Sequence, residues 1–361
     1  MLVAFVASLF VTLWMVRRAR SGGHALQDHD LSGPQKFHAK PVPRVGGIGI
    51  VTGAVAGTLT LWFQAPGLGQ FALLLLLCAV PAFGSGLTED LTKTQSPRRR
   101  LFFTAVAALL AVLLMDGVIE RTAIPGLDWL VMFKPAAALV TVFVVAGVAN
   151  SLNIIDGFNG LASMCAVLML ISIGYVAFQV GDLAVMYMAA IGVGAVLGFF
   201  VWNFPLGLIF LGDGGAYFLG FFVAELAILL LHRNPTVSPM FPLLACIYPV
   251  FETVFSIYRR VMLRDQPAGM PDGIHLHSLI YRRVMRWAVG KRSRRSLARR
   301  NSMTSPYLWM LCMLAVLPAM LFWDSTPTLV AFILLFVLVY TGLYWRIVRF
   351  KAPRWLSSRR G

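Results

Sequence analysis

The chain has 361 residues, 58% of them hydrophobic and only 13% charged, with a mean hydropathy of +0.77 and a formal net charge of +16. Soluble domains run at roughly 45–50% apolar and about 25% charged, so a soluble globular protein is excluded and an all-α polytopic membrane protein is expected. The four cysteines all fall in apolar runs without CxxC spacing, which argues against a disulfide framework and against a zinc ribbon.

In chain order, apolar stretches near the ~20 residues needed to cross a bilayer occur at 1–16, 45–63, 70–88, 101–117, 135–152, 158–179, 183–202, 214–232, 240–260, 306–323 and 327–346. The first lacks a basic leader region and a small-residue cleavage site, so it reads as a span and not as a signal peptide. It is short, and the fifth and sixth stretches nearly touch, so a count of ten also fits. The expectation is one bundle of about 10–11 transmembrane helices, a single domain over 1–361, with a basic loop at about 261–305 and two last spans and a basic tail over 306–361.

Charge sets the orientation. The connections 17–44, 89–100 and 259–305 and the tail from Arg346 hold 28 of the 31 Lys/Arg, the other three being Arg121, Lys134 and Arg233. Under the positive-inside rule this puts the N-terminus outside and the C-terminus in the cytoplasm. It also accounts for the net charge without nucleic acid: the basic run 291–300 fits a loop near anionic lipid. Two cytoplasmic connections carry no Lys or Arg and hold Asp156 and Asp213 instead; a third opens with Glu89 and Asp90. Carboxylates inside a ring of basic loops suit a divalent cation with a phosphate-rich substrate, because Mg²⁺ takes a few carboxylate oxygens plus phosphates and Lys/Arg bind the rest. An ion pathway would need acids through the bilayer, and away from the span ends only Glu225 and Glu252 lie within the expected spans, Asp116 closing the fourth.

Five stretches carry the chemistry. Residues 30–47 place Lys36, His38 and Arg44 in a loop stiffened by Pro41 and Pro43. Glu89-Asp90 is followed by Arg98-Arg99-Arg100 at the start of the fourth span. Asn150, Asn153 and Asp156 recur every third residue, one slowly drifting helix face, before Gly157 breaks the helix and Asn159-Gly160 turns the chain. Asp213 lies among Gly212, Gly214 and Gly215, where backbone can approach a ligand closely. His275 and His277 alternate, so an extended loop would point them the same way. Taken singly, each has an ordinary reading as a solvated helix end, a turn or a loop.

Together, and in this order over roughly 28–283, these stretches resemble the polyprenyl-phosphate N-acetylhexosamine-1-phosphate transferases (glycosyltransferase family 4, MraY- and WecA-like). The family's acidic pair falls on Glu89 and Asp90. Its Asn-x-x-Asn-x-x-Asp-Gly motif falls on Asn150, Asn153, Asp156 and Gly157, its glycine-rich aspartate turn on Asp213, its histidine loop on His275, His277 and Ser278, and its basic helix start on Arg100. The departures are Glu89 for the first Asp, Asn159 for a second Asp, and Ser278 for the last His. The loop 271–277, PDGIHLH, also differs from the histidine-rich loop expected of the peptidoglycan enzyme, which favours the WecA-like branch, the one that starts surface polysaccharides such as O-antigen.

The resemblance implies ten or eleven helices in the bacterial inner membrane, a cytoplasmic active site, and Mg²⁺, with Mn²⁺ as a substitute. It implies transfer of N-acetylhexosamine-1-phosphate from a UDP-N-acetylhexosamine to polyprenyl phosphate with release of UMP. The expected partners are these two substrates and membrane lipid, without nucleic acid; a homodimer is the oligomer to test. Asp213 is expected to bind the metal with Asn153 or Asp156, and Asp90, supported by Glu89, to orient or deprotonate the lipid phosphate. Arg100, His275 and His277, then Lys36 and Arg44, are expected to hold the pyrophosphate or nucleotide, with Asn150 beside them. A one-step attack and a covalent aspartyl intermediate both fit. The alternatives are the phospho-N-acetylmuramoyl-pentapeptide transferase of peptidoglycan synthesis and, from another class, an ion-coupled transporter, for which no internal repeat is seen.

Overall fold

The computed structural model describes residues 1–21, 27–28, 42–264, 274–289 and 294–349. Lys36 and His38 lie outside the described residues. Each of the eleven expected spans contains a helix. They begin with α1 (Leu2–Arg20), α2 (Gly46–Gln64), α3 (Pro66–Thr92), α4 (Pro97–Met115) and a short α5 (Leu127–Val131). Next come α6 (Lys134–Ile155), α7 (Leu161–Gln179), α8 (Leu183–Asn203) and α9 (Gly212–Arg233). The rest are α10 (Met240–Ala245), α11 (Ile247–Arg264), α12 (Leu276–Leu279), α13 (Arg286–Val289), α14 (Arg294–Leu321) and α15 (Thr326–Arg349), with a π-helical turn over Ile280–Met285 between α12 and α13. A small antiparallel pair joins Gln27–Asp28 to Val42–Pro43.

Among the described residues, nine helices are long and apolar enough to cross a membrane: this is an all-α, multi-pass membrane protein. The two expected spans outside that set are the charged ones. Three arginines crowd the first turn of α4, while α11 carries Glu252 and three arginines. The expected ninth span is also not one helix, since the chain breaks at Cys246 between α10 and α11.

The bundle is organised around α9. Every residue from Gly212 to Leu231 is buried, as a helix apolar on all sides requires, and α2, α3 and α6 pack directly on it. Small residues allow that approach, as expected between membrane helices. A Cβ on Gly86 of α3 would lie 2.6 Å from both the Asp213 carbonyl carbon and the Gly214 nitrogen.

Both ends of α9 receive charge of the sign its dipole favours. At the C-terminal end the Arg121 guanidinium donates to the carbonyls of Leu231 (3.0 Å) and Asn234 (2.9 Å). There Arg233 also pairs with buried Asp182 at 2.7 Å, tying α9 to the start of α8. The N-terminal end is the more consequential one.

Candidate active site

Leu211 at the N-cap of α9 supplies no capping side chain, so the first N–H groups of the helix need acceptors from elsewhere. Asp90, near the end of α3, provides them: its carboxylate accepts from the N–H of Asp213 (2.9 Å) and of Gly214 (2.8 Å). Gly212 makes this possible. Its φ of +75° lies in the left-handed region, and a Cβ there would stand 2.5 Å from an Asp90 oxygen. The segment before α2 runs along the same turn: Phe210 N–H donates to the Pro43 carbonyl at 2.8 Å, and Gly46 and Gly47 N–H to Phe210 and Leu211 carbonyls, both at 3.0 Å. That contact delivers Arg44 to the site.

Asp213 points into a group of donors. Arg100 forms a close ion pair with it, Arg44 stands 3.6 Å from Oδ1, and the Asn153 amide donates to Oδ1 at 2.9 Å. Ser96 caps α4 by accepting from Arg99 N–H and Pro97 opens the helix, a start that aims Arg100 inward. Asn153 arrives by helix periodicity. Three residues before it, Asn150 accepts from the Tyr217 hydroxyl at 3.3 Å, so 150 and 153 on α6 pair with 217 and 213 on the facing side of α9. The Arg100 guanidinium also lies over the Tyr217 ring, 5.7 Å from its centroid.

The helix α6 ends where the sequence places the end: Asp156 is its C-cap, and Gly157 N–H closes a tight turn on the Ile155 carbonyl at 2.8 Å. Desolvation pushes the Asp156 carboxyl up to about 7, with Arg44 pulling the other way. Asn159 serves a different purpose from a metal ligand. Its N–H donates to Asn301 (2.9 Å), its amide to Ser302 (3.2 Å) and toward the Pro205 carbonyl (3.4 Å), and its carbonyl accepts from Ser305 (2.6 Å). It ties the α6–α7 turn to α14 and to the α8–α9 connection. Asp at this position would lack the amide donors.

Past that turn lie the histidines. The Phe158 ring meets His277 edge-on at 5.6 Å, and the His275 and His277 rings stack at 5.0 Å. They share a side as expected, but for another reason: His275 is the N-cap of α12 and His277 lies within it, so no extended loop is involved.

The structure therefore gathers Arg44, Asp90, Arg100, Asn150, Asn153, Asp156 and Asp213 at one end of the bundle, with the histidines beside Gly157. Glu89 is turned away: it accepts from Gln95 N–H at 2.7 Å and shapes the α3–α4 turn. Tyr217 was not singled out from sequence, although its place one turn after Asp213 was a usable signal.

Among the described residues no three His, Cys, Asp or Glu side chains are already set around a metal position. Asp213 and Asp156 offer hard oxygen donors, and Asn153, which here turns its NH2 to Asp213, carries another. That chemistry fits Mg²⁺, which needs only one or two carboxylates when phosphates complete its shell.

The profile described as "Glycosyl transferase family 4" matches residues 72–231. The phospho-N-acetylmuramoyl-pentapeptide-transferase of Bacillus cytotoxicus is 30% identical over 63% of this chain and 73% of that protein. The chain belongs to glycosyl transferase family 4. Two further relatives of this glycosyl transferase are named for N-acetylglucosaminyl 1-phosphate transfer. A probable undecaprenyl-phosphate enzyme of Bacillus subtilis is 29% identical over 76% of this chain and 75% of its own. An undecaprenyl-phosphate enzyme of Thermotoga maritima is 27% identical over 70% and 72%. The family match takes in every residue of the cluster except Arg44, and stops short of the histidines.

Proposed function

We propose that this glycosyl transferase moves N-acetylhexosamine-1-phosphate from a UDP-sugar to polyprenyl phosphate and releases UMP, the first step of a surface polysaccharide. The observation that carries the reading is Asp213 at the start of α9, held among Arg100, Arg44 and Asn153. The names of the Bacillus subtilis and Thermotoga maritima relatives support a polyprenyl-phosphate acceptor and an N-acetylhexosaminyl 1-phosphate as the group moved.

An apolar cavity of about 530 Å³ runs between α4, α6, α9 and α11 and reaches Leu101 and Asn150 beside the cluster. Phe143, Ile228, Val254 and Ile257 line it. A polyprenyl tail matches this lining and would bring its phosphate to Arg100. That phosphate is largely ionised at neutral pH, with a second pKa of about 6, and needs little help from a base. Its oxygen attacks the sugar-bearing phosphorus, the bond to UMP breaks, and the new pyrophosphate links lipid to sugar. Such a transfer depends on positioning and charge neutralisation. Arg44, Arg100, His275 and His277 hold pyrophosphate oxygens. Asp213 with Asn153 and Asp156 would hold Mg²⁺, which when bound neutralises charge on the transferring group. Asp90, with both oxygens on α9 backbone, is better suited to fixing Asp213 than to deprotonating the acceptor. The basic loops favour placing this end in the cytoplasm of a bacterial inner membrane.

Mass spectrometry of the lipid product formed from a panel of UDP-N-acetylsugars tests the reading. A hexosamine product supports it. Turnover only with the pentapeptide-bearing muramoyl donor would instead assign the activity named for the Bacillus cytotoxicus relative. No product with any donor would sink both.

A further inference from the structure

Helix α11 has two unlike faces. Val250, Thr253, Val254 and Ile257 line the apolar cavity. Glu252 and Arg259 lie on the opposite side, seven residues or about two turns apart and therefore in line. Both are buried, Glu252 at 1% exposure and Arg259 at 3%. They grip the segment 274–277 from its two ends. Glu252 Oε1 accepts from Leu276 N–H at 2.7 Å. Arg259 donates to the Ile274 carbonyl at 3.1 Å and to the Tyr344 hydroxyl of α15 at 2.8 Å.

The same Glu252 oxygen stands 3.3 Å from His275 Nδ1 and 3.8 Å from His277 Nδ1. Both imidazoles, stacked with their planes 13° apart, thus turn their Nδ1 sides to one carboxylate. The other edge of His277 faces the reaction cluster: a Cβ on Gly157, next to Asp156, would stand 3.7 Å from its Nε2. A carboxylate on the Nδ1 side fixes ring orientation and leaves Nε2 to meet a ligand. Burying a carboxylate this deeply is costly unless donors meet it; Leu276 N–H donates to Oε1, and the two imidazoles face the same oxygen.

We propose that Glu252 is a positioning residue for the UDP-sugar side of the transfer, holding His275 and His277 with their Nε2 edges toward the cluster. The assignment rests on the transferase reading above. It also makes α11 the wall between the lipid cavity and the histidine pair, with a separate face for each.

The test uses the full-length protein with UDP-N-acetylglucosamine, polyprenyl phosphate and Mg²⁺. Glu252→Gln keeps the shape and removes the charge. KM for the UDP-sugar should rise roughly tenfold or more, the scale of a lost hydrogen bond to a charged group, while KM for polyprenyl phosphate stays unchanged. In a variant that already carries both His275→Ala and His277→Ala, Glu252→Gln should add little to the rise in UDP-sugar KM, because Glu252 acts on the donor through those two rings. Glu252→Asp, which restores the charge, should fall between wild type and Glu252→Gln.

A general packing role would raise both KM values together and add its full effect to the variant lacking both histidine rings; either result overturns the assignment. If Glu252→Gln does not fold, Glu252→Asp decides: a rise in UDP-sugar KM alone supports the proposal, and a wild-type value overturns it. Wild-type protein that releases no UMP would sink the transferase reading, and calorimetric binding of UDP-N-acetylglucosamine to wild type and variant would still test Glu252.

Discussion

At the scale of single residues, Asp90 and Asp213 have separable parts, although each is a carboxylate at the same helix start. Asp213 faces two guanidiniums and an amide, whereas Asp90 faces backbone N–H groups. Asp213→Asn removes charge at the cluster without removing the cap. Turnover should fall roughly 10²–10³-fold, the scale of losing one charge-stabilising contact, with the thermal unfolding midpoint in detergent close to wild type. Near-normal turnover would take Asp213 out of the site. Asp90→Ala removes the cap itself. It should cost about 1–2 kcal/mol of stability, seen as a lower unfolding midpoint, and lose activity as well because Asp213 is no longer held. An unchanged midpoint would contradict the capping role.

Among the elements, α9 is the frame to which the site is fixed, and close approach at Gly86 keeps α3 near enough for Asp90 to reach it. A Cβ there would meet α9 backbone at 2.6 Å, and backbone cannot give way as a flexible side chain can. Gly86→Val should cost about 1–3 kcal/mol as an overpacked core and reduce turnover in whatever protein still folds. A variant with normal stability and turnover would show that the two helices need not touch.

The same geometry explains how far the sequence could be read. Asn150, Asn153 and Asp156 were legible because helix periodicity alone puts them on one face, and Arg100 because it opens a span. The capping by Asp90 was not, since its partners are N–H groups more than a hundred residues away and carry no side-chain signature. Glu252 was visible only as an acid in a span; its partners come from a segment that periodicity does not place. The break at Cys246 was hidden by the apolar composition on both sides of it.

For the whole molecule, the candidate cluster, the ends of α3 and α6, the starts of α4 and α9, and the histidine segment all lie at one end of the bundle, the end that carries Arg44 and, in the α3–α4 connection, Lys93 and Arg98 to Arg100. The account therefore ties topology to chemistry: a reporter fused at Gly361 should be active only in the cytoplasm, and a periplasmic readout would place the cluster on the side without nucleotide. The central claim is phosphoryl transfer and not sugar transfer alone, and the nucleotide product distinguishes them most directly. Purified protein given Mg²⁺, polyprenyl phosphate and a UDP-N-acetylhexosamine should release UMP, and EDTA should abolish the release because the transferring group needs its charge neutralised. Release of UDP in place of UMP, or no nucleotide release with any donor, would contradict it.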